Sequence, residues 1–390
     1  MTFFKNIYYV FHREFWTILR DHAVLTFFFA LTLAYPVVYT FIYSKEVVRE
    51  VPVTVIDQSK STLSREFIRK WDATPHVKVI SYCSEQEEAK LLMYKKKIYG
   101  FLVIPADFDG SIHRGEQAHL SLYCDMGVLL RYKALLTAAT DVSLEMGAAI
   151  QVQGMEYATQ KAEQVKSMPV RVQEVKLYNP QGGFTSFLMP AVLILVIQQS
   201  LLLGVGTLAG TARDRRRDHR LMARAKRYRN PVAVVLGKML AYLPIYITMG
   251  YWVLYVVPRL FGITQIGNKG ELALFLFPFL LACCFFAIAA SFLCKERETP
   301  FLLFVFTSVP LMFISGISWP GSAIPWYWTL LGKLFPSTYG ITGFVKINNS
   351  GATLTEAAPE YLGLWIQAAL YFVVSCLLYW REMRKIKVKR

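Results

Sequence analysis

Charge is scarce where this sequence is most apolar. Of its 390 residues 54% are hydrophobic and 18% are charged, and six long stretches hold almost no Asp, Glu, Lys or Arg. Charged side chains are costly at the centre of a bilayer, so uncharged runs of about 20 residues read as membrane spans. Acidic and histidine side chains are missing inside these runs, which argues against proton or ion coupling. Energy for any transport must then come from elsewhere. No G-x-x-x-x-G-K-[ST] occurs: Gly237-Lys238 is followed by Met239 and Gly332-Lys333 by Leu334, so the chain has no P-loop for ATP. H-E-x-x-H, C-x-x-C and G-x-S-x-G are absent, and His76, His113 and His119 lack metal-ligand spacing, so neither a metal site nor a catalytic residue is expected.

What charge there is lies mostly in two tracts. The net +16 draws on nine Lys/Arg between Arg213 and Arg229 and six between Arg381 and Arg390. Basic short loops stay cytoplasmic, so the tracts orient the neighbouring spans. Six spans are expected, at 22–43, 184–212, 232–257, 272–294, 301–317 and 361–380, with both termini and the basic loop 213–230 inside. The run from Ala23 to Tyr43 is too long for a signal peptide and lacks an A-x-A site, so it reads as an uncleaved anchor. Before it, residues 1–21 place Phe4, Tyr8, Phe11, Phe15 and Ile18 at helical spacing, as an amphipathic helix along the inner membrane face does.

Residues 44–183 form the only stretch outside the spans large enough for its own core. Their 18 Lys/Arg and 17 Asp/Glu nearly balance, which gives no electrostatic case for nucleic acid. Strands are expected at Val51–Ile56, Val77–Tyr82, Tyr99–Ile104 and His119–Tyr123, with helices at Ser61–Trp71 and Glu85–Lys97. A long helical segment follows from Val128 to Met168, then a strand at 170–177. The fold expected is an α-helical membrane protein with an inserted extracytoplasmic α/β domain. Cys83 and Cys124 are this domain's only cysteines, and an oxidising compartment would allow them to pair.

Within the spans, Gln198, Gln199 and Ser200 are the conspicuous polar group. They either face a substrate path or hydrogen-bond a neighbouring helix. The segment 319–340 carries Trp319, Trp326, Tyr327 and Trp328, which suit a membrane interface, and Pro320, Pro325 and Pro336, which break helices. A re-entrant hairpin at the outer face and a loop resting on the headgroups both fit.

The order of parts resembles the permease subunit of type-2 ABC exporters, in the branch with a large extracytoplasmic domain between the first two spans. Arg13-Glu14 and Arg20-Asp21 resemble that family's R-E-x5-R-D lead into the first span. The run from Val51 to Asp57, followed by Ser64-Arg65, is similar to its first strand and S-R helix. Tyr178-Asn179-Pro180 resembles its Y-N-P before the second span. Ser315-Gly316 with Pro320, then Pro325, then Pro336 to Tyr339, resembles its S-G-x3-P and P-x-T-Y segment. One stretch departs: where members carry E-[RK]-E-x-G-T-x-E-x-L, Arg213 to Leu221 keeps acidic Asp214 and Asp218 but no Gly-Thr pair.

The resemblance implies two permease chains, identical or related, and a separate cytoplasmic ATPase that binds ATP and Mg. It implies ATPase contacts on the N-terminal helix (Phe11, Arg13, Glu14, Arg20), on the basic loop (Asp214, Arg215, Arg216, Arg217, Asp218, Arg220) and at Glu296. The basic tracts also suit anionic lipid. The expected function is outward movement of an amphipathic or lipophilic substrate across a bacterial inner membrane. Two alternatives stand beside it: an ATPase-driven mechanical transmitter acting on a periplasmic partner, and a non-transporting receptor or scaffold.

Overall fold

A computed structural model of the chain describes residues 2–43, 47–153, 178–179, 183–217, 230–319 and 321–388; at 2, 152–153, 214–217 and 385–388 it describes backbone alone. The expected strand at 170–177 and the helical stretch beyond Gln153 lie outside the described residues. The chain divides into two compact units: Val47–Val175 and, interrupted by it, Met1–Glu46 with Lys176–Arg390.

The Val47–Val175 unit is built on a four-stranded sheet in the order β2-β1-β3-β4. Its strands are β1 (Val51–Asp57), β2 (Val77–Tyr82), β3 (Gly100–Ile104) and β4 (Ser121–Cys124). β1 pairs in parallel with β2 and β3, and β4 returns antiparallel to β3. Central strands must be apolar on both faces, and all five residues of β3 are buried. One face is covered by α3 (Thr62–Asp72) and α6 (Leu129–Gln153), through Phe67, Ile68, Trp71, Leu135, Ala138 and Val142. The other is covered by α4 (Gln86–Tyr94), with Ala89 over Ile56, Phe101 and Val103. A short α5 (Phe108–His113) falls where no helix is expected from the sequence. The Asp57 carboxylate accepts from Ser64 Oγ at 2.8 Å, while Ser61 caps α3 by accepting from the Ser64 amide at 3.0 Å. These bonds fix the strand-to-helix turn.

Pairing of Cys83 with Cys124 is corrected by this topology. Both thiols are free. The Cys83 amide donates to Val55 of β1 from the β2 side, whereas Cys124 lies opposite Gly100 on β4. Three strand spacings separate them, about 14 Å, far beyond disulfide reach. Burial pushes the Cys124 thiol up to about 11, which keeps it unreactive.

The other unit is helical. Among the described residues five helices are long and apolar enough to cross a membrane: α2 (His22–Ile42), α7 (Phe184–Arg213, continuing to Arg217), α8 (Pro231–Leu260), α9 (Lys269–Leu293) and α13 (Ala358–Arg384, continuing to Val388). The expected sixth span is the 16-residue α10 (Thr299–Ile314). At about 24 Å it is shorter than the roughly 30 Å hydrocarbon core. Proline 300 opens it, and Gly316 at φ +83° turns the chain away just past its end. α7 is the most enclosed helix, with Ala191, Ile194, Ile197 and Leu201 fully buried. Small residues let its neighbours approach: a Cβ at Gly204 would overlap the Phe28 ring, and one at Gly210 would come within 2.4 Å of the Glu296 carbonyl.

Candidate functional site

At the end of the helical unit that carries α1 (Thr2–Arg20), the acidic residues of the lead motif turn inward. Val10 and Ile18 of α1 are buried, and a Cβ at Gly237 of α8 would meet Val10 at 2.7 Å and the Ile7 carbonyl at 2.8 Å. That close approach brings the Glu14 carboxylate to Lys238 Nζ (2.5 Å) and to the Tyr242 hydroxyl. The two charges keep only 15% and 17% side-chain exposure. The Glu14 carboxylate is occupied inside the bundle, where it ties α1 to α8. Lys238, the one charged residue of the span expected at 232–257, is the other half of that tie.

Asp21 plays the same part for α2. Its carboxylate accepts from the Ala23 amide at 3.1 Å, capping the span, and from Arg297 at 2.9 Å in the link between α9 and α10. Arg213, at the end of α7, donates to the Ser291 carbonyl (2.6 Å) and to Cys294, satisfying carbonyls left open where α9 ends. Its guanidinium also lies 5.2 Å from the Phe292 ring centre. α1, α7, α8 and the 294–298 link are thus cross-tied at one end. The opposite side of α1 is open: Phe4, Tyr8, Trp16 and Leu19 are exposed, with Arg20 over the Trp16 ring. Phe11 stacks on Phe15 at 5.9 Å, half-buried against the core, and Arg13 is half-buried beside it. Glu296 is exposed in the link. Asp214, Arg215, Arg216 and Arg217 continue the α7 backbone; Asp218, Arg220 and Pro320 lie outside the described residues.

Halfway along α7 the polar trio ties three different elements. The Gln198 carboxamide oxygen accepts from the Ser337 amide at 2.6 Å. Gln199 Nε2 donates to Thr307 of α10 at 3.1 Å, and Ser200 Oγ accepts from Tyr246 of α8 at 3.0 Å. Successive helix residues point about 100° apart, so three consecutive polar residues reach three neighbours. All three are buried, at 1%, 2% and 0% exposure.

The Ser337 partner sets the depth of the segment after α10. Ser315 donates to the Met312 carbonyl (2.7 Å) and Gly316 ends the helix; Trp319 is exposed. Pro325 precedes α11 (Trp326–Gly332), and Pro336 opens α12 (Pro336–Phe344), where a missing N–H costs nothing. Thr338 Oγ1 closes the turn onto the Gly332 carbonyl at 2.7 Å. Gln367 and Tyr371 of α13 donate to the carbonyls of Lys333 and Leu334. The start of α12 therefore lies level with the middle of α7. Tyr339 packs on Gly363, whose Cβ would come within 2.9 Å of its ring. Lys333, which the sequence reading passes over, is exposed at this turn.

The profile of the ABC-2 family transporter proteins matches residues 22–377. The chain belongs to the ABC-2 transporter family. A comparison with curated proteins gives no match. Membership makes this a multi-pass membrane protein, the permease subunit of an ABC transporter, and it implies a partner ATPase. The permease is the membrane component of transport. The lead-motif acids hold α1 and the link to the bundle, Asp57 and Ser64 hold the first strand to its helix, and Asn179 of Y-N-P clamps Gly183 by two bonds of 2.9 and 3.1 Å where α7 begins. What the sequence could have signalled was Glu14 with Lys238: an acid on an amphipathic helix and a lone base in a span, each needing a partner.

Proposed function

We propose that this permease exports an amphipathic or lipophilic substrate, driven by a separate cytoplasmic ATPase that binds ATP and Mg. The observation that carries this reading is the cross-tied end: α1 is bonded to α8 through Glu14 and Lys238, and α2 to the link after α9 through Asp21 and Arg297. A push on α1 or on the link reaches several helices through bonds rather than through loose loops. The surfaces offered to the ATPase are the exposed Arg20 and half-buried Arg13 of α1, the exposed Glu296, and the basic sequence from Arg215 to Arg220. In this reading that end, with both termini, is cytoplasmic in a bacterial inner membrane, and Val47–Val175 is extracytoplasmic. α10 is the sixth span, with the bilayer thinning locally to meet its short length. The segment 319–340 re-enters from the outer face, and Gln198, Gln199 and Ser200 border the path it closes. A second permease chain completes the path, and anionic lipid binds the same basic tracts.

A mild-detergent pull-down with mass spectrometry and an ATPase assay tests this. A stoichiometric P-loop ATPase is expected, lost when Arg215, Arg216 and Arg217 are all changed to Glu. Stimulation of its activity by amphiphiles supports export. Stimulation only by a periplasmic protein would instead identify a mechanical transmitter, and recovery of no ATPase would leave a receptor or scaffold.

A further inference from the structure

We propose that the start of α12 is a binding station for an anionic oxygen group, the carboxylate or phosphate head of an amphiphile. This rests on the reading of Gln198 as bordering the path and adds the chemistry of the headgroup. α12 begins level with the middle of the 30-residue α7; Pro336 brings no N–H and the Ser337 and Thr338 amides are bonded to Gln198 and to the Phe335 carbonyl, so it is the helix dipole that makes that end electropositive. Among the described residues two donors at this end have no partner: Gln198 Nε2 and Ser337 Oγ, on residues each only 1% exposed. The Gln198 carboxamide is fixed by its oxygen to the Ser337 amide, so its NH2 group must lie beside the same helix end. Buried donors are expected to be satisfied, and an oxygen anion would satisfy both.

A cation lies three residues upstream. Lys333 is exposed at the turn, with its carbonyl held at 2.7 Å by Gln367, the tenth of the 27 residues of α13 from Ala358 to Arg384, rather than at the helix end. A lysine at that depth marks a water-lined or ligand-lined path. No Asp or Glu occurs between Phe184 and Arg213 or between Trp319 and Asn349, so an anion meets no like charge from these elements. Gln199 is not part of the station; its Nε2 is turned to Thr307 on α10. Half-helix ends pointing at anionic groups in mid-membrane are a recurrent device of transporters. The exposed Lys333 would meet the head first, and its transfer to Gln198 and Ser337 would require α12 to separate from α7.

The test uses the full-length permease in phosphatidylcholine nanodiscs, with labelled laurate and dodecylammonium as probes and empty nanodiscs as the blank. Saturable laurate binding is expected, about tenfold tighter than dodecylammonium, as one charge-assisted contact provides. K333Q should weaken laurate about tenfold and leave dodecylammonium unchanged; K333E should reverse the preference. S337A, which keeps the backbone bond to Gln198, should weaken laurate severalfold. Equal affinity for the two probes, or laurate binding unmoved by both K333Q and S337A, overturns the station. Adding phosphatidylglycerol separates the sources: competition with laurate assigns the site to a bilayer lipid, and its absence to a free amphiphile. A failed ATPase pull-down would remove the export reading while leaving this binding result in force.

Discussion

In Val47–Val175 the largest buried side chains, Trp71, Phe67 and Phe101, leave water on folding; in the helical unit Phe28, Phe275 and Phe279 leave lipid. The hydrophobic effect acts on the first group and hardly at all on the second, since lipid tails are as apolar as the rings themselves. The helical unit depends instead on close approach at Gly204 and Gly340 and on polar ties such as Glu14 to Lys238 and Gln198 to Ser337. The same residue type therefore carries different weight in the two units. A buried aromatic is a source of stability in one and a shape to be fitted in the other.

Trp71→Ala should break the α/β unit most severely, by about 4 kcal/mol, because it leaves a large cavity in a water-surrounded core. Limited proteolysis should then cut within Val47–Val175 while the helical unit stays intact. Lys238→Ala should cost about 3 kcal/mol, since it strands the Glu14 carboxylate in a mostly buried position. Denaturant unfolding in detergent micelles measures it, and recovery by the double change with Glu14→Gln would show that the stranded charge is the cause. Ser61→Ala should cost about 1 kcal/mol through loss of the α3 cap, read as a small fall in the unfolding midpoint of the same unit. Phe306→Ala should shift the nanodisc melting temperature least, because the ring is 74% exposed on α10 and stays among apolar groups either way. Reducing agent should change neither gel mobility nor melting, in contrast to the 2–4 kcal/mol typical of a lost disulfide; a shift would mean that Cys83 or Cys124 is bonded after all.

Much of the α/β unit was legible because its signals are local. Alternating apolar strands at Val51 and Val77, the continuous apolar run from Gly100, and a serine cap before α3 act within a few residues. The short α5 escaped because Phe108–His113 has too few residues for a helical period to show. In the spans, hydropathy located the helices but gave no account of their partners. α10 lost its last expected residues because Gly316 takes a left-handed conformation, which apolar content does not register.

The sequence by itself determined that this is a membrane protein, where its apolar helices lie and, through its motifs, to which transporter family it belongs. Those follow from transfer free energies and short-range spacing, which a linear chain carries in full. Only the tertiary structure decided that Glu14 faces Lys238, that Cys83 and Cys124 stand on opposite edges of a sheet, and that Pro336 opens a helix level with the middle of α7. Each of those depends on how segments scores to hundreds of residues apart are placed against one another, and the partner of a buried charge or amide is fixed by packing, which composition and periodicity do not encode.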